Sequence, residues 1–341
     1  MKKMKLKVAL IFGGTSKERE VSLHSVKTAA KFFDPKKYDI IPVEISQEGK
    51  WLLATPTIHE LGREIPTKPA TTRELVPLEK NSTGKIDVAF LALHGPGGED
   101  GTIQGMLDLL KIPYTCSGVL ASAVAMDKVR TKLMLKSVGI PVPAHLLVTK
   151  KDFENNRQKI FKKIHGKVVI KPNKIGSSLG ISIVRARHEL AKAFSKALKL
   201  DNEVLVEPFI QGREITVGTL GNAKPIVLPI AEILPLTNKG YWDFAAKYEE
   251  GQANHLIPAP LTSVQNKLVS KFTFLAHTTL GCRGITRSDF ILDKQGQFWF
   301  LEINTIPGLT PVSLVPEMAN KIGINFTQLL DKLIQLALEK K

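Results

Sequence analysis

A buried apolar run from Lys5 to Phe12 stops at Gly13-Gly14-Thr15-Ser16, and a segment of helical period follows to about Phe33, with Leu23, Val26, Ala30 and Phe33 on one face. The alternation repeats. Tyr38 to Ile45 and Ile86 to Leu93 read as strands. The second ends at His94-Gly95-Pro96-Gly97-Gly98-Glu99-Asp100-Gly101, before a helix carrying Ile103, Met106, Leu107 and Leu110. Strands alternating with helices predict a parallel sheet with right-handed crossovers, whose ligands sit where strands end and glycines begin. Residues 1–125 therefore read as a first α/β domain. Ala54 to Glu79, rich in proline, threonine and charge, has no clean period and reads as a loop-rich insertion.

Farther on, one long helix is expected from Val119 to Val138, ended by Gly139-Ile140-Pro141-Val142-Pro143. A small unit follows: a strand, a helix near 151–164, strand Lys167 to Lys171, a loop, strand Ile181 to Val184, helix Glu189 to Leu198 and strand Glu203 to Glu207. Strands at Arg213 to Leu220 and Pro225 to Leu234, a long polar loop through Tyr248, a helix near 263–280, a hairpin and a helix from Thr327 to Glu339 complete the chain. The units divide as 1–125, 126–214 and 215–341.

The hairpin carries the densest chemistry. Ile285 to Asp293 and Phe298 to Asn304 flank a turn containing Gly296. Side chains alternate along a strand, so Arg287 and Asp289 share one face, as do Glu302 and Asn304. If the two faces coincide, two carboxylates and an amide oxygen meet beside a guanidinium, a set that suits Mg²⁺ completed by phosphate and water. A solvated polar face is the plainer alternative. In Val168-Val169-Ile170-Lys171-Pro172-Asn173-Lys174-Ile175-Gly176-Ser177-Ser178-Leu179-Gly180, a buried strand ends in lysine and enters a Gly/Ser loop able to wrap a phosphate. No Gly-Lys-Ser/Thr occurs and a strand follows, so it is not the loop that opens a helix in other nucleotide-binding proteins. Val204 to Ile210 is a strand running into Glu207-Pro208, a hinge that could present backbone to an adenine.

At 341 residues, with 43% hydrophobic residues, the chain has ample length for a sizeable core. No apolar run approaches the roughly 20 residues of a membrane span, and the short run after the lysine-rich start does not read as a secretory leader. Two cysteines, Cys116 and Cys282, argue against a disulfide framework, read as packing residues and fit a reducing compartment. The net charge of +16 is spread in pairs such as Lys36-Lys37 and Lys162-Lys163 rather than gathered in a patch. That reads as a solvated surface that also attracts anionic substrates, rather than as dedicated nucleic-acid binding.

In their order, the phosphate loop, acidic hinge and carboxylate hairpin resemble the ATP-grasp superfamily. Within it, Gly13 to Ser22, Leu93 to Gly101, Glu302 to Thr310 and Ser313 to Pro316 are similar to the D-alanine–D-alanine ligase family over nearly the whole chain. The resemblance implies an N-terminal parallel-sheet α/β domain followed by a two-part ATP-grasp fold (α+β). It implies ATP-dependent joining of two D-alanine molecules through an acyl phosphate, for peptidoglycan precursors, in a cytoplasmic homodimer with no nucleic-acid or membrane partner. ATP and two Mg²⁺ (or Mn²⁺) ions held by Asp289, Glu302 and Asn304 are implied cofactors. Lys128, Lys171, Ser178, Glu207, Glu214 and Lys247 are implied on ATP, with the lysines Lys128 and Lys171 on phosphate, Glu207 on the adenine side and Glu214 on ribose. Arg287 and the Gly308 amide would face the oxyanion, Glu18 the first D-alanine's ammonium with His94 nearby, and Ser313 and the Leu314 amide the second carboxylate. Ser177 and Tyr248 would tie the lid to Glu18.

Some of these residues have plainer readings. Thr15 and Glu18 spell a helix capping box, Ser313 could cap the helix after it, and His94 could be a turn residue. Sibling ligases that take D-lactate or another D-amino acid, and an idle nucleotide-binding regulator, are the rival functions. Tyr248 following Lys247 matches the dipeptide makers. Ile175, Phe244 and Ala245 depart from the family pattern, and two acidic side chains are thereby missing from loops expected to close over ATP.

Overall fold

The computed structural model describes residues 5–53, 73–74, 86–235 and 253–339. The alternating start folds as the period demands: β1 (Leu6–Gly13), α1 (Arg19–Ala29), β2 (Tyr38–Ile45), β5 (Val88–Ala92) and α2 (Thr102–Leu109), with β2 and β5 both parallel to β1. β3 (Trp51–Leu53) and β4 (Arg73–Glu74) extend the sheet antiparallel, in the order β4-β3-β2-β1-β5. The expected loop-rich insertion thus includes one strand at Arg73–Glu74; the rest of 54–79 lies outside the described residues. Gly13 shows why glycine ends β1. Its φ is +88°, and a Cβ there would drive into the Ile45 carbonyl and the Arg19 guanidinium.

The second and third sheets follow in chain order. β6 (Leu146–Thr149), β7 (Val168–Pro172), β8 (Ser182–Val184) and β9 (Glu203–Pro208) form an antiparallel sheet ordered β6-β9-β7-β8. Its core packs against α5 (Lys150–Lys163) and α6 (Leu190–Leu198) through Phe161, Phe194 and Val204. β10 (Gly212–Leu220), β11 (Ile226–Val227), β12 (Ala231–Pro235), β13 (Ala253–Leu256), β14 (Ile285–Asp293) and β15 (Phe298–Asn304) make the third, ordered β13-β12-β10-β14-β15 with β11 on β10. α7 (Ser263–Thr279) packs on it. The strand expected over Pro225 to Leu234 is two strands, and β13 was not anticipated at all.

The single helix expected over Val119–Val138 is two, α3 (Val119–Met126) and α4 (Lys128–Ser137), broken at Asp127. Asp127 sits in extended geometry and its carboxylate accepts the Arg130 amide at 3.0 Å. A short acceptor side chain favours a cap over a helix interior. The apolar period runs straight through the break, which hid it.

The first core is completed from the other end of the chain. α8 (Leu314–Asn320) and α9 (Phe326–Leu338) add Val315, Met318, Leu329, Leu330, Leu333 and Ile334 to the cluster formed by β1, β2 and β5. This layered mixture of a parallel α/β sheet and two later antiparallel sheets is the ATP-grasp arrangement with its leading domain. Among the described residues no helix is long and apolar enough to cross a membrane. Cys116 and Cys282 are buried free thiols, pushed up to about 12 by burial, and act as packing residues.

Candidate active site

The hairpin's two polar faces coincide. Arg287 lies directly across from Asn304, and Asp289 across from Glu302. Cross-strand partners put their side chains on the same side of the sheet. Phe290, Phe298, Phe300 and Ile303 enter the core instead, with Phe290 and Phe300 edge to face at 5.5 Å. A bulge between Asp289 and Phe290 lets a polar face give way to an apolar one. Arg287 forks onto Asp289 with two bonds of 2.9 Å, and Thr216 on the neighbouring β10 donates to the same carboxylate at 2.5 Å.

Two lysines of α4 reach this sheet, one helical turn apart. Lys128 Nζ lies 3.3 Å from Glu302 and donates to the Ile175 carbonyl at 2.9 Å, linking β15 to the loop between β7 and β8. Lys132 Nζ lies 2.6 Å from Glu207, and Lys171 Nζ 2.7 Å from the other oxygen of that carboxylate. Burial would raise the Glu207 carboxyl, but the two ammonium groups outweigh it and hold it down at about 2. A cavity of about 520 Å³ opens between the second and third sheets, lined by Lys171, Ser178, Glu207, Glu214, Asp289 and Glu302 among others. Its apolar walls include Ile181, Ile183, Phe209 and Phe290. Apolar walls together with lysines and carboxylates in the same lining suit an adenine nucleotide.

The loop closing β7 to β8 reaches back to the first sheet. Ser177 and Ser178 hold φ of +52° and +57°, a conformation kept by non-glycine residues mainly where surroundings enforce it. Ser177 donates to Glu18, whose carboxylate also lies beside Gly95 and Gly176. Glu18 heads α1 without a side-chain capping bond, so the Thr15–Glu18 capping box does not form. His94 is buried in a smaller cavity of about 220 Å³ with Gly14 and Trp51, and burial pushes its imidazole down to about 4. The Ser16 hydroxyl ties the two turns by donating to the His94 carbonyl at 2.7 Å.

At the third corner, Ser313 precedes α8 but makes no capping bond. Its hydroxyl accepts the Thr310 amide at 3.1 Å and meets the Thr310 hydroxyl at 2.8 Å. A Cβ on Gly308 would lie 3.2 Å from that hydroxyl, so the Gly308 backbone and Ser313 lie side by side, with Leu314 next in the chain. Glu99 bridges this corner to the glycine turn, accepting the Gly95 amide at 2.8 Å and the Ile306 amide at 3.3 Å. Burial and then the nearby Glu18 push its carboxyl up to about 8.

Among the described residues no three His, Cys, Asp or Glu side chains gather to hold a metal ion. Two carboxylates and the Asn304 amide fit a hard cation that takes its remaining oxygens from phosphate and water. Lys247 and Tyr248, like Phe244 and Ala245, lie outside the described residues. Lys132, Glu99 and Thr216 were missed in the sequence. Lys132 left a trace there, four residues after Lys128 on one helix, and Glu99 stood inside the glycine-rich turn 94–101 with no role read for it.

The family profile described as D-ala D-ala ligase N-terminus matches residues 7–117, and the one described as D-ala D-ala ligase C-terminus matches 134–335. The D-alanine–D-alanine ligase of Geobacillus kaustophilus is 38% identical over 99% of this chain and 96% of its own length. That of Pelotomaculum thermopropionicum is 39% identical over 98% of both. Among solved structures, the VanG D-Ala:D-Ser ligase from Enterococcus faecalis superposes with a TM-score of 0.84 at 34% identity, covering 98% of this chain and 100% of that one. The D-alanine–D-alanine ligase from Coxiella burnetii gives 0.83 at 29%, covering 98% and 95%.

Proposed function

The chain belongs to the D-alanine–D-alanine ligase family, and from that premise we propose how its residues divide the work. The enzyme joins two D-alanine molecules with ATP, forming ADP and phosphate. One D-alanine carboxylate attacks the γ-phosphorus to give an acyl phosphate, and the amine of the second attacks the acyl carbon and expels phosphate. The observation that carries the assignment is the pairing of Asp289 with Glu302 and Arg287 with Asn304, with Lys128 tied to both Glu302 and the phosphate loop.

Lys128, Lys171 and the 176–178 backbone would bind phosphates, Ser178 and Glu214 the nucleotide, and Glu207 the adenine side. Mg²⁺ or Mn²⁺, two ions in this reading, held by Asp289, Glu302 and Asn304, would neutralise charge moving between the phosphoryl oxygens. Arg287 and the Gly308 amide would face the oxyanion, where losing one donor costs about 3–4 kcal/mol. Glu18 would hold the first ammonium, with His94 beside it, and Ser313 with the Leu314 amide the second carboxylate. Lys247 and Tyr248 would act from the lid. Peptidoglycan precursor synthesis in the cytoplasm fits this reaction and the two unpaired thiols. A homodimer is proposed as well, and Leu109 and Leu120, 86% and 76% exposed on α2 and α3, are apolar surface that a second copy would cover.

A second reading, D-serine as acceptor, is raised by the likeness to a D-Ala:D-Ser ligase. Phosphate release with ATP, Mg²⁺ and a panel of D-alanine, D-serine, D-lactate and L-alanine decides between them. D-alanine alone should support turnover, with dipeptide as product. Dominant D-alanyl-D-serine or ester would overturn the acceptor assignment, and no D-amino-acid-dependent phosphate would leave an idle nucleotide binder. Tyr248→His should erode the preference for D-alanine over D-lactate near pH 7.

A further inference from the structure

Lys132 is fully buried, with none of its side chain exposed, and it is not among the residues lining the 520 Å³ cavity. It therefore cannot touch a ligand. Its ammonium meets Glu207 Oε1 at 2.6 Å and donates to the Phe300 carbonyl of β15 at 3.2 Å, two residues before Glu302. Glu207 stands between this hidden lysine and Lys171, which does line the cavity. Burying an ammonium is costly unless it is paired and hydrogen-bonded. A leucine or methionine would fill the volume without that cost, so the charge calls for a reason.

Charge counting supplies one. With both lysines present, the Lys132–Glu207–Lys171 row carries one net positive charge, and it falls at the cavity wall. With Lys132 neutral, Glu207 and Lys171 cancel each other, and Lys171 is bound to the carboxylate as its one remaining counter-ion in the row. We infer that Lys132 is a positioning residue for nucleotide binding: it neutralises Glu207 from behind and so frees Lys171 to turn its charge onto the phosphates of ATP. Because Lys132 also holds the Phe300 carbonyl, the same side chain ties the adenine-side carboxylate of β9 to the strand that presents Glu302. The inference rests on the reading of Glu207 and Lys171 as nucleotide ligands.

The test is ATP binding by titration calorimetry without D-alanine, on the whole chain, for Lys132→Met, Glu207→Gln, Lys171→Met and the Lys132→Met/Glu207→Gln pair. Lys132→Met should weaken ATP at least about tenfold, roughly 1.4 kcal/mol, and leave the KM for D-alanine within twofold. The double variant should bind ATP no more weakly than Glu207→Gln alone, because there is then no carboxylate left to neutralise. If Lys132→Met does not fold, the comparison of the double variant with Glu207→Gln carries the decision, since the uncompensated carboxylate is gone from both. Equal losses on adding Lys132→Met to either background, or a change below twofold in a folded Lys132→Met, would overturn the inference. Unchanged ATP binding in both Glu207→Gln and Lys171→Met would instead remove the site assignment itself, and the inference with it.

Discussion

At the scale of single residues, the site balances buried charges in pairs, and each pair predicts its own failure. Glu302 is partly exposed and pairs with Lys128 at its rim, whereas Asp289 is buried in the fork of Arg287. Glu302→Gln should lower kcat by about two to three orders of magnitude, as loss of a charge-stabilising group does, and should lower Tm only modestly, because the buried Lys128 ammonium keeps its bond to the Ile175 carbonyl. Asp289→Asn should lose activity as well and also lower Tm, since a buried guanidinium left without its carboxylate is destabilising by about 3–5 kcal/mol. Near-normal turnover in Glu302→Gln at ordinary Mg²⁺ would make the hairpin structural. Glu99 behaves in the opposite sense. Its carboxyl is raised to about 8 by burial and Glu18, against about 4.3 in an unfolded chain. The folded state therefore binds more protons between those values, and this contribution to stability is present below about 4.3 and lost as pH rises towards 8. Tm of Glu99→Gln minus that of the parent, followed from pH 5 to 8, should rise with pH. A flat difference would show that Glu99 does not titrate there.

Among elements, the loop between β7 and β8 and the break before α4 do the positioning. The loop's course is set by two left-handed serines and by Ser177 on Glu18. A Cβ at Gly176 would lie 3.2 Å from Glu18 Oε1, tighter than most such contacts. Gly176→Ala should therefore displace Glu18 and raise the KM of the first D-alanine several-fold, with less effect on ATP. A change in the KM of ATP alone would place the loop on the nucleotide only. Hydrogen exchange over 174–180 should slow when ATP, Mg²⁺ and D-alanine are added together. Asp127 starts α4 so that Lys128 sits in its first turn, and the Asn173 side chain accepts the Val129 amide at 3.1 Å. Asp127→Ala should cost about 1 kcal/mol through the lost cap.

For the whole molecule, the first sheet shares its core with the last two helices, while the second sheet has a core of its own. α9 buries Leu329, Leu330, Leu333 and Ile334 against the first sheet, and Tyr38 meets Asp331 across that contact. Leu330→Ala should destabilise by about 2–5 kcal/mol. A chain cut after residue 314 should lose cooperative unfolding of the N-terminal sheet, read by circular dichroism. Independent, cooperative melting of that fragment would show that the first core does not need the last two helices.

Local pattern carried much of this protein. The period of apolar residues determined the α/β start, β7, β9, β14 and β15. Alternation along two strands put Asp289 with Arg287 and Glu302 with Asn304, because side-chain direction in a strand depends only on position. The break at Asp127 was not legible, since capping is won by one side-chain bond inside an unbroken apolar period. Nor was the role of Glu99, which spans from Gly95 to Ile306, or of Lys132, whose partner lies 75 positions away in the sequence. Register, burial and the meeting of distant charges depend on which faces the tertiary structure brings together, and strand alternation says nothing of that. Whether the two polar faces of the hairpin coincided was open until the cross-strand register placed Asp289 opposite Glu302.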